Sequence, residues 1–198
     1  MIPVESFVYN LELCDLYREI EGSVVECGVW RGGMSAGMAE LLGDERIYYL
    51  FDSFEGLPEA HEIDGKDAIA WQSEKDSETY FDNCKSEMEV AEKAMALSGA
   101  NKVKIIKGWF AETLSAVQIN VPIAILRLDC DWYDSTLECI TRFYPMLAEG
   151  GLILMDDYFM WDGFAKAIHD YLSANKLPVR IRQWKNSDLY YIVKKSDL

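Results

Sequence analysis

The chain has 198 residues, and 34 acidic against 19 basic side chains give a formal charge of −15 at neutral pH. Half of the residues are hydrophobic and 13% are aromatic, enough for one domain with a buried core, so an acidic disordered chain is excluded. No basic cluster exists to neutralise phosphates, which argues against nucleic-acid partners and anionic membrane surfaces, and no apolar run approaches the ~20 residues of a spanning helix.

The first residues lack the charged-then-apolar pattern of a secretory signal. Residues 5–20 place Phe7, Leu11, Cys14, Leu16, Tyr17 and Ile20 at helical spacing, so 1–21 reads as an N-terminal helical segment ended by Gly22. An apolar run at 23–29 predicts a buried strand, and Gly32, Gly33 and Ser35 open a helix that ends near Gly43. A second strand covers 46–51 and ends at Asp52. Residues 52–92 carry 13 acids against 3 bases. Within them, 55–76 reads as a long loop and a candidate lid, followed by a helix over 77–98 with Ser77 as its cap.

A strand is predicted at 102–107, then Gly108 and a short helix. The run 122–128 reads as a central strand ending in Asp129, and 134–147 as a helix closed by Gly150 and Gly151. A strand at 152–155 leads to Asp156 and Asp157, and a helix covers 162–174. Two strands, 179–184 and 189–194, close the chain as a hairpin. Strands alternating with helices predict a single α/β domain over 1–198: a Rossmann-like, mostly parallel sheet with helices on both faces. The five cysteines are odd in number and contain no CxxC pair, which suits free thiols in a reducing, cytoplasmic setting. Two histidines, His61 and His169, and no cysteine pair at metal spacing argue against zinc.

Ligands of such sheets bind beyond the carboxyl ends of the strands. Those ends carry Glu26 with Gly28, Gly32 and Gly33; Asp52 with Ser53; Gly108, Trp109 and Phe110; Asp129 and Asp131; and Asp156 with Asp157. Gly28, Gly32 and Gly33 permit a sharp turn and close backbone approach, but their spacing is not the dinucleotide fingerprint. Glu26 suits a cationic amino group, and Asp52 suits two ribose hydroxyls. The ligand implied is a nucleoside with a positively charged tail and no phosphate, which S-adenosylmethionine fits. Trp109 is the candidate to stack on adenine, and Trp132 to wall the substrate. Asp129, Asp156 and Asp157 repel one another by about 3 kcal/mol per pair at ~5 Å and an effective dielectric of ~20. A divalent cation removes that repulsion, and an all-oxygen donor set favours Mg²⁺ or Mn²⁺. Asp131 is an alternative ligand in place of Asp129. His61 reads as a solvated loop residue and His169 as surface.

The blocks GSVVECGVWRGG, LFDSFEGLP, KGWFAETL, LRLDCDWYDST and YPMLAEGGLILMDDY together resemble the macrocin O-methyltransferase family, from about residue 22 to 172. The resemblance implies a seven-stranded methyltransferase sheet with an antiparallel last strand. It implies Mg²⁺- and S-adenosylmethionine-dependent methylation of a sugar hydroxyl, often on a deoxysugar of a natural product. Carried over position by position, it puts the cofactor against Glu26, Gly28, Gly32, Asp52, Ser53, Gly108, Trp109 and Phe110, and the metal on Asp129, Asp156 and Asp157. The stretch before the first strand is shorter than the family's. The expected base is Asp129, with Asp131 second. Catechol-type methyltransferases place a lysine three residues after the fourth-strand aspartate; here that position is Trp132.

Two rival readings remain at this level. One is a metal-dependent methyltransferase of a phenol or catechol. The other is a non-catalytic nucleotide-binding or acidic interaction protein. The N-terminal helix and closing hairpin are the candidate faces for a homodimer.

Overall fold

The apolar runs become the strands of one sheet in the computed structural model, which describes residues 2–195. β1 (Ser23–Cys27), β2 (Tyr48–Asp52), β3 (Val103–Lys107), β4 (Ile123–Leu128) and β5 (Leu147–Met155) run parallel. β6 (Arg182–Gln183) and β7 (Tyr190–Val193) form the closing hairpin, with β7 antiparallel to β5. The order is β3-β2-β1-β4-β5-β7-β6, the seven-stranded, mostly parallel arrangement expected.

Among the described residues, α1 (Val4–Leu16) precedes the sheet, and α2 (Gly33–Leu42), α3 (Lys66–Ser73), α4 (Met88–Leu97), α5 (Phe110–Ala116), α6 (Tyr133–Phe143) and α7 (Asp162–Ala174) connect its strands. α1, α2 and α4 bury Leu13, Cys14, Met34, Met38, Ala91 and Met95 against one face of the sheet. α5, α6 and α7 bury Leu114, Ile140, Phe143, Phe164 and Ile168 against the other. β4, apolar but for Arg127, is buried along its whole length between the two cores. Each fully buried Leu or Ile there contributes about 1.5–3 kcal/mol.

Hydrogen bonds carry the ladder one residue past the strands. Gly108 N donates to Asp52 O, Gly28 N to Phe51 O, Asp129 N to Cys27 O and Asp156 N to Leu128 O, at 2.9–3.0 Å. The carboxyl ends of β3, β2, β1, β4 and β5 therefore stand in one row.

Several boundaries differ from the sequence reading. α1 stops at Leu16 rather than residue 20, and β1 ends at Cys27 because Gly28 turns at φ +85°. α6 ends at Phe143, where a 3-10 turn (Tyr144–Met146) with Pro145 takes over. Gly150 and Gly151 lie inside β5 rather than ending a helix: Gly150, at φ +74°, kinks the strand where the β4–β5 register shifts. The hairpin strands are shorter than 179–184 and 189–194.

The acidic segment departs furthest. Residues 55–76 are not an open loop; they hold a 3-10 turn (Glu62–Asp64) and α3. Asp64, buried to 3% exposure, accepts the backbone N–H of His61 (2.8 Å) and of Tyr133 (2.7 Å), which ties the segment to the start of α6. The helix expected over 77–98 begins only at Met88, because Asp82, Asn83 and Cys84 all take positive φ. Ser77 caps nothing; its N–H closes a turn on Glu74. Asn83 holds the irregular stretch by donating to Leu57 O (2.7 Å) and accepting from Gln72 Nε2 (2.9 Å). Met1 and 196–198 of the expected domain lie outside the described residues. No helix among those described is long and apolar enough to cross a membrane.

Candidate active site

The centre of the strand-end row is a charge that sequence reasoning missed. Arg127 lies in β4, in register with Glu26 of β1, and is 2% exposed. Its guanidinium donates to Glu26 Oε1 (2.6 Å) and Asp129 Oδ2 (2.8 Å) and pairs with Asp156 Oδ1 (2.7 Å). The signal was present: an arginine inside an apolar strand run must be buried, and a buried charge must be paired. Burial alone opposes the charge, yet Asp129, Asp156 and Glu26 raise the pKa of Arg127 well above its ordinary value. Glu26 is buried too, and its second oxygen accepts the Ser35 hydroxyl. Burial pushes the Glu26 carboxyl up to about 7, against the pull of Arg127 and Ser35.

Asp129, Asp156 and Asp157 each bring a carboxylate oxygen within 4.8 Å of the others. Asp157 Oδ2 accepts the N–H of Asp131 (3.0 Å), and Asp131 Oδ1 accepts Trp161 Nε1 (3.1 Å). Loss of surrounding water, opposed by Arg127, pushes Asp129 up to about 6. Asp131 and Asp157 are also raised well above the ordinary carboxylate range, by burial first and then by neighbouring carboxylates.

These groups open on a cleft of ≈ 520 Å³, within the range of small-ligand sites. Glu26, Gly28, Asp52, Arg127, Asp129, Asp131, Asp156 and Asp157 line it, together with Ile2, Pro3, Ser6, Phe7 and Asn10 from the N-terminal segment. An adjoining smaller cavity is bordered by Gly28, Asp52, Ser53, Gly108, Trp109, Phe110 and Asp129. Every expected cofactor and metal residue except Gly32 therefore borders one of two neighbouring cavities.

Local detail refines several of these residues. Asp52 organises the glycine turn: Oδ2 accepts Val29 N (2.6 Å) and Trp30 N (2.7 Å), and Oδ1 accepts Phe54 N (2.6 Å). Gly28 is required by its neighbour strand, since a Cβ there would lie 1.7 Å from Asp129 O. Gly32 packs against α4 instead of a cavity; a Cβ would sit 2.9 Å from Ala91 Cα. Ser53 Oγ spans the next turn, donating to Gly56 O and accepting from Glu55 N, both at 3.0 Å. Trp109 is 37% exposed.

Trp132 is not a substrate wall. It is 2% exposed, packs edge-on to Trp71 and Trp161, and donates Nε1 to Pro58 O (2.9 Å). His61 and His169 are exposed and border neither cavity. The cysteines are free, with Cys84 half-buried at the cleft and the other four buried.

A model of the macrocin-O-methyltransferase (TylF) family matches residues 14–192. The chain is 34% identical over 171 residues to the 8-demethyl-8-(2,3-dimethoxy-alpha-L-rhamnosyl)-tetracenomycin-C 4'-O-methyltransferase of Streptomyces olivaceus, covering 82% of this chain and 63% of that protein. It is 32% identical over 164 residues to the demethyldecarbamoylnovobiocin O-methyltransferase of Streptomyces niveus, covering 78% of this chain and 59% of that one. The match thus spans about three-fifths of each relative's length. Among solved structures, the O-methyltransferase NovP superposes with a TM-score of 0.78 at 26% identity, over 95% of this chain and 80% of NovP.

Proposed function

The chain belongs to the macrocin-O-methyltransferase family, and from that premise we propose that it transfers a methyl group from S-adenosylmethionine to a hydroxyl of a sugar-containing natural product. The observation that carries this reading is the meeting, on one cleft, of the Asp52-held glycine turn with the Asp129, Asp156 and Asp157 carboxylates. In this reading Asp52 turns the lone pair left on Oδ1 to the ribose hydroxyls, and Trp109 and Phe110 flank the base. Glu26 acts through Arg127: it is 1% exposed, and each of its oxygens already accepts one hydrogen bond from Arg127 or Ser35.

The carboxylates also fit a hard divalent cation. Arg127 and the Asp131 N–H occupy one oxygen each of Asp129, Asp156 and Asp157. Their second oxygens accept no hydrogen bond among the described residues. When bound there, Mg²⁺ or Mn²⁺ supplies Lewis-acid polarisation of an acceptor hydroxyl and a template for two vicinal oxygens. Arg127 offsets part of the carboxylates' mutual repulsion and fixes their direction. Asp131 is the base of this scheme. In this reading the second oxygen of Asp129 is committed to the cation, whereas Asp131, which also lines the cleft, keeps one oxygen without a hydrogen bond.

The test is methyl transfer from labelled S-adenosylmethionine to glycosylated acceptors and to a catechol, with EDTA and with Mg²⁺ restored. Labelled sugar product, lost with EDTA and recovered with Mg²⁺, is the expected result. Labelling of the catechol alone overturns the sugar assignment, and EDTA-resistant transfer overturns the metal.

A further inference from the structure

Asp131 takes a left-handed backbone at φ +57°, which is uncommon for a residue with a side chain. Such a conformation persists only where its surroundings hold it, and it gathers at functional sites. Two hydrogen bonds hold this one, and both come from the turn between β5 and α7. Asp157 Oδ2 accepts the Asp131 N–H (3.0 Å), and Trp161 Nε1 donates to Asp131 Oδ1 (3.1 Å). The turn is itself closed, because the N–H groups of Met160 and Trp161 both donate to Asp157 O at 3.0 Å.

The indole is fixed in turn by two other rings. Trp161 lies edge-on to Trp132, with centroids 5.3 Å apart, and to Trp71 at 6.1 Å. Each of those rings is tied to the chain by its own N–H: Trp132 to Pro58 O and Trp71 to Thr79 O, both at 2.9 Å. Packing alone would need only the rings. The Trp161 N–H is spent instead on a carboxylate that lines the cleft, although Trp161 borders neither cavity itself. A carboxylate turning about its last bond exchanges its two oxygens, and pinning one of them removes that freedom.

We propose that Trp161 is a positioning residue for methyl transfer: its indole N–H holds Asp131 Oδ1 and thereby assigns Oδ2 to the acceptor hydroxyl. Asp131 takes the hydroxyl proton on Oδ2 as the acceptor oxygen takes the methyl group and S-adenosylhomocysteine leaves. This rests on the reading of Asp131 as the base. It also gives the acidic segment a part in the chemistry, since Trp71 of α3 is one of the two rings that fix the indole.

Steady-state methyl transfer from labelled S-adenosylmethionine to p-nitrophenyl glycosides of deoxysugars tests this. Trp161→Phe is expected to lower kcat about tenfold, the weight of one hydrogen bond to a charged group, with both KM values within about twofold. Trp161→His places an imidazole Nε2 where the five-membered ring of indole carries Nε1, and kcat is expected to recover to within about threefold. In an Asp131→Asn background, Trp161→Phe is expected to cost nothing further, because the group it acts through is gone. Asparagine tolerates the left-handed backbone, so that background keeps the local fold. A spectroscopic readout needs no active variant: the Trp161 indole N–H resonance of the unaltered chain is expected to move on Asp131→Asn. Unchanged kcat in Trp161→Phe, a histidine variant as slow as the phenylalanine one, a full tenfold loss added to Asp131→Asn, or an unmoved resonance overturns the positioning role and leaves Asp131 as the base. Unaltered turnover in Asp131→Asn, or no transfer by the unaltered chain, overturns the base reading and this inference together.

Discussion

Acidic side chains gather in two regions of this molecule and do opposite things. At the strand ends, Glu26, Asp129 and Asp156 converge on one buried arginine, and Asp157 joins them on the cleft. In the segment from Glu55 to Glu87, most acids face solvent, and the fold is held by other means. Those means are Asp64 on two backbone amides, the Gln72 and Asn83 amides, and three tryptophan rings packed edge to face. Density of charge along the chain is therefore a poor guide to where charge acts. The denser region is largely solvated surface, and the sparser one is the electrostatic centre, because burial makes each charge depend on its partner.

Removing the partner should separate the two regions most sharply. Arg127→Met leaves three carboxylates without their counter-charge, and about 3–5 kcal/mol of stability should be lost in urea unfolding. A loss below about 1 kcal/mol would mean that the carboxylates shed their charge at no structural cost. Asp157→Asn keeps an acceptor for the Asp131 N–H but removes a ligand charge. Methyl transfer should fall about a hundredfold, ~2.7 kcal/mol in the barrier, while S-adenosylhomocysteine affinity stays within about threefold. Unchanged turnover would remove Asp157 from the metal assignment.

In the acidic segment one residue should behave like the strand-end group. Asp64→Ala unpins the 3-10 turn from α6, and a loss of about 2 kcal/mol is expected, with new protease cleavage between residues 57 and 76. Unaltered cleavage would show that the tryptophans hold the segment alone. Neutralising the exposed Glu59 and Glu62 to Gln should shift stability by less than about 0.5 kcal/mol. A larger change would blur the distinction between the two regions.

How much of this was legible follows the same division. The alternation of apolar runs and helical stretches carried the mostly parallel α/β sheet, and the strand-end rule led straight to Asp52, Asp129, Asp156 and Asp157. Strand-end chemistry is visible because apolar runs stop abruptly at charged residues. Arg127 was hidden by its own context, since one charge inside an apolar run reads as part of the strand. Asp64 and Trp132 were hidden because their partners, Tyr133 in one case and Pro58, Trp71 and Trp161 in the other, are remote in sequence. Positive φ at Asp82, Asn83 and Cys84 overrode a plausible helical pattern through tertiary hydrogen bonds that no local spacing encodes. Gly28, Gly32 and Gly33 were singled out for close approach to a ligand; what crowds the first two is the Asp129 backbone and Ala91, and a Cβ at Gly33 would meet nothing within 4 Å.

The central claim is that the Asp52 turn and the Asp129, Asp156 and Asp157 cluster serve one nucleoside and one divalent ion in the same cleft. Its most direct test is thermal unfolding of the unaltered chain with S-adenosylhomocysteine, then with Mg²⁺ added, then with EDTA. The account predicts a rise with the nucleoside, worth about 2.7 kcal/mol at a hundred times its dissociation constant, a further rise with Mg²⁺, and reversal of the second by EDTA. A melting temperature that responds to neither would contradict it.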